Sequence, residues 1–413
     1  MNSKSFIIKP MPNEPKPSPK RIGVLDYRTN FYTYLRTIMH KLPEVEYVPV
    51  RDLYSLRRKL ALKLNNIIGK PLIPTFDLNN QFEDFDLNKV DLIHLMNGVS
   101  YGRTPWVVSF ETIVPRFSTL VTRHQGAAPA KTPLTPVVKR ALEALGSSTC
   151  RKLIAWSENS VQIQKDLLSE FALELSQPIL DKLTFLYPPQ EVLGDVRAVR
   201  QPSHEQPLRF VLVGAAFFRK GGRELFEVFR KLYDDDGLPI KLVVVSSLRL
   251  EPYAAHETEF DVSWANGVID SKPAWLEYYR SLPNDQVLEL LKQADVGLLP
   301  SWADTYGLSV IEAQASGCPV ITTDIRAFPE MNNNRVGWLI KVPKNELGEA
   351  LYTTETERKI LSRTIKEGLE TILREIVADP KIIAEKGSQA LKKIKEQHDP
   401  ERYADSLRQF YGF

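Results

Sequence analysis

The 413-residue chain has only two cysteines, Cys150 and Cys318, far apart and in no metal or redox spacing. That excludes a disulfide framework and a thiolate metal centre, and a reducing, cytoplasmic setting is the simplest expectation. Histidine is scarce as well: His40, His94, His124, His204, His256 and His398 form no ligand spacing, so no metal and no bound cofactor is expected. No stretch approaches the ~20 apolar residues of a membrane span. Near the start, Phe6-Ile7-Ile8 is far shorter than the ~7–15 apolar residues of a signal peptide. Any membrane contact is therefore expected to be peripheral, at the inner face. Neither charge dominates: 54 Lys and Arg against 51 Asp and Glu leave a net charge of +3, too little to argue for nucleic acid. A Walker loop and a dinucleotide fingerprint are both missing.

What is present is ordinary for a globular protein, 43% hydrophobic and 25% charged, and the length suits two domains with a core each. Residues 9–20 carry five prolines and little to bury, so residues 1–20 read as a disordered tail. Apolar runs at 22–25, 47–50, 90–95, 106–110 and 153–157 alternate with helical patterns at 137–145 and 160–173. Runs without alternation, separated by helices, predict parallel strands covered on both faces. A Pro- and Gln-rich tract ends this first domain, 21–190, and supplies a linker at 191–206. The rhythm then restarts, with strands at 209–213, 241–246, 296–299 and 319–323 and helices at 222–233 and 285–292, and further helices follow at 355–377, 380–395 and 400–411. The second domain is placed at 207–394, with 395–413 returning to the first. Two α/β halves of this kind bind ligands outside the carboxyl ends of their strands, in the cleft between them.

Residues 51–70, RDLYSLRRKLALKLNNIIGK, place Leu53, Leu56, Leu60, Leu64 and Ile67 at helical spacing among Arg51, Arg57, Arg58, Lys59 and Lys63. The spacing reads first as a core-packed helix with a solvated basic face. The other reading is a basic amphipathic helix that touches anionic lipid or an anionic acceptor.

The stretch Leu298–Thr323, LLPSWADTYGLSVIEAQASGCPVITT, organises the second half. A buried strand leads through a polar turn to a helix opening at Gly307, with Asp304 and Glu312 eight residues apart. A helix start offers free N–H groups and a partial positive charge to a phosphate. A carboxylate in the next turn can accept from vicinal hydroxyls. Together they suggest a nucleotide carrying a sugar. The turn after strand 209–213 adds Gly214, Arg219 and Lys220 before two glycines; fixed cations there suit a diphosphate and, without a metal, can neutralise a leaving nucleotide. Asp234-Asp235-Asp236 imitates a metal motif but follows a helix rather than ending a buried strand, and reads as a solvated turn.

With these residues in view, FVLVGAAFFRKGG and LLKQADVGLLPSWADTYGLSVIEAQASGCPVITTD resemble the retaining, nucleotide-sugar-dependent glycosyltransferases of family four. The resemblance covers roughly residues 207–340 and implies the GT-B fold, two Rossmann-like domains facing across a cleft. It further implies transfer of a sugar from a nucleoside diphosphate to a hydroxyl acceptor, a carbohydrate or glycolipid, with retention and without a metal. By the same resemblance Glu312 binds the ribose hydroxyls and Asp304 meets the donor sugar. The N–H groups of Tyr306, Gly307, Leu308 and Ser309 approach the diphosphate, which Lys220 and Arg219 steady. Ser246 and Arg280 flank the base, and Glu330 matches the family's following Pro-Glu.

Three positions depart from the family pattern. Asp304 replaces the usual Glu, Ala215 stands where many members have Arg, and Phe110-Glu111 occupies the place of a frequent His. Glu111 reads either as an acceptor-side carboxylate facing the cleft or as a buried or capping Glu. The Asp304 change and the absent His keep open a non-catalytic scaffold on the same fold; a GT-B-fold nucleotide-sugar epimerase is a second rival reading.

Overall fold

The computed structural model describes residues 18–25, 41–70, 72–121, 132–196, 198, 200–251 and 253–413. The Pro-rich tail thus falls almost wholly outside the described residues. Two six-stranded, fully parallel sheets carry the fold. The first holds β1 (Lys20–Leu25), β2 (Val45–Val50), β4 (Leu92–Met96), β6 (Trp106–Phe110), β7 (Cys150–Ala155) and β8 (Leu183–Phe185) in the order β2-β1-β4-β6-β7-β8. A two-stranded ribbon of β3 (Gln81–Phe82) and β5 (Val99–Ser100) lies beside it. The second sheet holds β9 (Leu208–Val213), β10 (Ile240–Val245), β11 (Leu276–Tyr279), β12 (Val296–Leu299), β13 (Val320–Thr323) and β14 (Trp338–Ile340) in the order β11-β10-β9-β12-β13-β14.

In each sheet the chain starts near the middle, winds outward, then crosses back and winds the other way. The strand order reverses between β1 and β4 and between β9 and β12, and such a switch point opens a crevice at the carboxyl edge. The central strands are buried on both faces: β4, β6, β12 and β13 hold no exposed residue. That is why they appear in the sequence as unbroken apolar runs.

Two helices differ from their sequence pattern. The one expected over 160–173 stops at Leu168, where the Ser169 hydroxyl donates to the Asp166 carbonyl, and a separate helix begins at Leu173. The one expected over 222–233 is α-helical to Arg230 and then widens into a π-turn over Lys231–Asp235. Asp234 and Asp235 are exposed in that turn, and Asp236 pairs with Arg374 at 2.6 Å.

The closing helix, Pro400–Tyr411, lies against the first sheet. The Tyr411 hydroxyl meets His94 Nδ1 at 2.7 Å, and Ser109 Oγ holds the other ring nitrogen at 2.8 Å. His94 is therefore a bonded core residue, and burial pushes its pKa down to about 3. Lys20 Nζ donates to the carbonyl of Gly412 at 2.8 Å, and Arg408 pairs with Glu44 at 2.5 Å.

Candidate functional site

The register of the second sheet builds the floor of the site. Val213 pairs with Val245, and Val245 with Tyr279, so Gly214, Ser246 and Arg280 follow in one row at the carboxyl edge. Ser246 is buried and its hydroxyl has no hydrogen-bond partner among the described residues. Arg280 is exposed at the end of the row. Gly214 has φ of +153°, and the stem of Lys220 lies over it, 3.4 Å from where a β-carbon would stand.

After β9 the chain turns back on itself at Gly221, in the left-handed region at φ +80°. A side chain there would meet the Pro300 carbonyl at 2.4 Å, so only glycine lets this turn touch the loop after β12. The two loops are further joined by the Trp302 N–H, which donates to the Arg219 carbonyl at 2.9 Å. This contact places Lys220 against Asp304, and their side chains form a buried ion pair. Burial alone would raise the Asp304 pKa, but Lys220, Arg219 and the Thr305 N–H outweigh it and hold the carboxyl below its ordinary value. Asp304 is thus a carboxylate at neutral pH and cannot serve as a proton donor there. Arg219 spans from Glu251, at 2.8 Å, to the Ala303 carbonyl, also at 2.8 Å.

A cleft of about 700 Å³ opens between the halves at this point. Asp304, Thr305, Arg219 and Glu251 line it from the second half, and Glu111 and Arg116 from the first. Thr305 Oγ1 donates to Glu111 Oε2 at 3.0 Å, so Glu111 sits across the cleft from Asp304. Next along the loop, Tyr306 is buried with its ring edge-on to Trp156 of the first half, centroids 5.8 Å apart.

Gly307 then starts the helix Leu308–Ala315 at φ +81°, with the Phe328 ring 2.6 Å from where a β-carbon would sit. No side chain caps this helix, so its first N–H groups, around Leu308 and Ser309, remain available to an anion. Glu312 follows one turn on. Its carboxyl makes no hydrogen bond among the described residues, and burial pushes its pKa up to about 7. A half-buried acceptor without a partner is a group waiting for donors.

Several cleft residues carry no signal in the sequence. Arg249 and Arg219 share Glu251, and the pair overcomes burial to hold that carboxyl below its usual range. Arg326 lines the cleft in a left-handed backbone conformation, φ +41°, locked by a buried ion pair with Glu349. Glu330, singled out in the sequence only by its Pro-Glu context, bonds across to the first half. Its carboxylate reaches into the first half and accepts from the N–H groups of Glu158 at 2.8 Å and Asn159 at 2.7 Å, and from the Tyr187 hydroxyl at 3.1 Å. It caps a helix of the other half. Only the folded arrangement reveals that role, because the partners lie more than 140 positions away in sequence.

Residues 197–371, in the second half of the chain, match the family model described as glycosyl transferases group 1. A glycogen synthase of Mycobacterium tuberculosis is 26% identical over 130 residues, which is 32% of this chain and 27% of that protein. The match thus spans about a quarter of the relative's length. Two solved structures follow nearly the whole chain. Sucrose-phosphate synthase from Thermosynechococcus elongatus has a TM-score of 0.59 at 13% identity, over 95% of this chain and 98% of that one. The Anabaena protein HepE, in complex with UDP-glucose, has a TM-score of 0.54 at 14% identity, over 94% and 98%. At these identities the likeness concerns the fold, and the fold is GT-B.

Proposed function

We propose that the protein transfers a sugar from a nucleoside diphosphate to a hydroxyl of a carbohydrate or glycolipid acceptor, with retention at the anomeric carbon and without a metal. The observation that carries this reading is the Lys220–Asp304 pair at the cleft, one turn before a helix whose Glu312 carboxyl is unpartnered. Each part matches a part of the donor. Glu312 accepts from the ribose hydroxyls, and the N–H groups from Tyr306 to Ser309 meet the diphosphate. Ser246 and Arg280, in the row at the strand ends, flank the base. Lys220, with Arg219, passes from its carboxylate partner to the phosphate and neutralises the charge that grows on the leaving nucleotide. These cations do the work a divalent ion does elsewhere, so no metal is required.

Asp304, kept ionised, accepts from a hydroxyl of the donor sugar. Glu111, on the opposite wall and linked through Thr305, orients the acceptor. Closure of the two halves excludes water from the reacting centre. The presence of UDP-glucose in the HepE structure supports a nucleotide-sugar donor here. A role in polysaccharide or glycolipid synthesis follows from the acceptor class.

Incubation with a panel of nucleotide sugars and simple hydroxyl acceptors tests the reading. A glycoside with the donor's anomeric configuration, by NMR, is the expected product. A sugar product still attached to its nucleotide would identify an epimerase instead, and no turnover with tight donor binding would identify a scaffold.

A further inference from the structure

The helix Leu53–Ile68 does not have the core packing that its leucine spacing suggests. Only Tyr54 and Ala61 are buried in it. Leu56, Leu60 and Leu64 are 54%, 53% and 47% exposed and Ile67 81%, so the apolar stripe faces outward. The helix is nonetheless well terminated: the Asp52 carboxylate accepts from the Tyr54 and Ser55 N–H groups, and Gly69 closes the end in the left-handed region. The chain then folds back along it. Asn65 holds Ile73 by two hydrogen bonds of 2.9 Å, and Leu72 and Ile73 of this strap are themselves exposed. The strap ends at Phe76, itself exposed and lining the cleft beside Arg116.

Charge on this face is of one sign. Residues 53–76 contain Arg57, Arg58, Lys59, Lys63 and Lys70 and no carboxylate. None of the five pairs with an acid among the described residues. An outward apolar stripe of this extent marks an interaction surface.

We propose that helix Leu53–Ile68 and the strap through Phe76 dock on an anionic lipid bilayer, with the mouth of the cleft beside the headgroups. A bilayer answers both features at once: acyl chains receive the leucines and anionic headgroups the five cations. A second copy of the chain answers only one, since two such faces would set five cations against five. Docking does not depend on the transfer reaction. Presentation of a membrane-bound acceptor to the cleft rests on it.

Co-sedimentation of the full chain with phosphatidylglycerol/phosphatidylcholine vesicles, against phosphatidylcholine alone, tests docking. Binding to the anionic vesicles should exceed binding to the neutral ones by about tenfold or more and fall as salt rises. Lys59→Glu/Lys63→Glu should lower it by about tenfold or more, and Leu60→Gln/Ile67→Gln by a similar factor. Both variants should keep the wild-type helical signal and the wild-type thermal shift with nucleotide sugars, so docking and donor binding fail separately. Absence of binding, equal binding to neutral vesicles, or unchanged binding in both variants would overturn the proposal. So would a dimer by size-exclusion chromatography that the leucine variant dissolves.

Discussion

The first sheet and the second run their strands in closely similar orders, yet they treat charge in opposite ways. In the second half, cations and carboxylates are drawn inward and paired: Lys220 with Asp304, Arg219 with Glu251, Arg326 with Glu349. Burying charge this way is costly unless each group is met by another, so the loops at that carboxyl edge are fixed in geometry. In the first half the cations of residues 53–76 stand outside without acidic partners, beside exposed leucines. One half is arranged to hold a small polar ligand in a set position, the other to meet a broad surface. That division fits the proposed transfer from a soluble donor to an extended or lipid-linked acceptor.

The comparison can be broken most sharply at the Lys220–Asp304 pair. Asp304→Asn should lower turnover by about 100-fold or more, because it removes a carboxylate from the donor sugar and leaves Lys220 buried without its partner. The matching change on the first-half wall, Glu111→Gln, should cost only about tenfold, since that side is more open. Steady-state rates with one donor and acceptor check both, and equal losses would erase the distinction between the walls.

Glu312 offers a subtler test. Its folded pKa of about 7 lies above the ordinary glutamate value, so the native state holds a proton that the unfolded chain gives up. Stability from this group is full below the unfolded pKa and is lost as pH rises toward and through about 7. Donor affinity should move the other way, strengthening as the carboxylate forms. Glu312→Gln should flatten both trends, which calorimetric titration and thermal melts between pH 5 and pH 8.5, values chosen to bracket that ~7 midpoint, would reveal.

A smaller effect is expected where the halves meet. Glu330→Gln weakens the cap on helix Glu158–Leu168 and should cost about 1–2 kcal/mol. A melting temperature lowered by a few degrees, with the two halves separating more readily to proteolysis at residues 191–206, is the expected outcome.

How far the sequence could be read follows the same physics. Strands buried on both faces were legible as apolar runs, among them β4, β6, β9, β12 and β13. Of the strands without such a signal, β8, β11 and β14 all lie at sheet edges, where pairing and burial are one-sided and Leu276–Tyr279 stays half-buried throughout. The helix over 53–68 was legible as a helix, but periodicity cannot say whether its leucines face a core or the outside. At the site, Asp304 and Lys220 stood out as charged residues in turns after strands and Glu312 as a carboxylate one turn into a helix, whereas Glu111 was reached only through the family resemblance. Arg326 did not stand out, because it depends on a backbone conformation, and Glu330 carried its Pro-Glu context but no sign of its partner helix in the other half.

Thermal shift against a panel of nucleoside diphosphates and their sugars tests the proposed nucleotide-sugar site in the second half most directly. At least one should raise the melting temperature of the wild-type protein in a concentration-dependent way, and the rise should be lost in Glu312→Ala and in Lys220→Ala. A panel without effect on the wild type, or a shift that survives in both variants, would contradict the site.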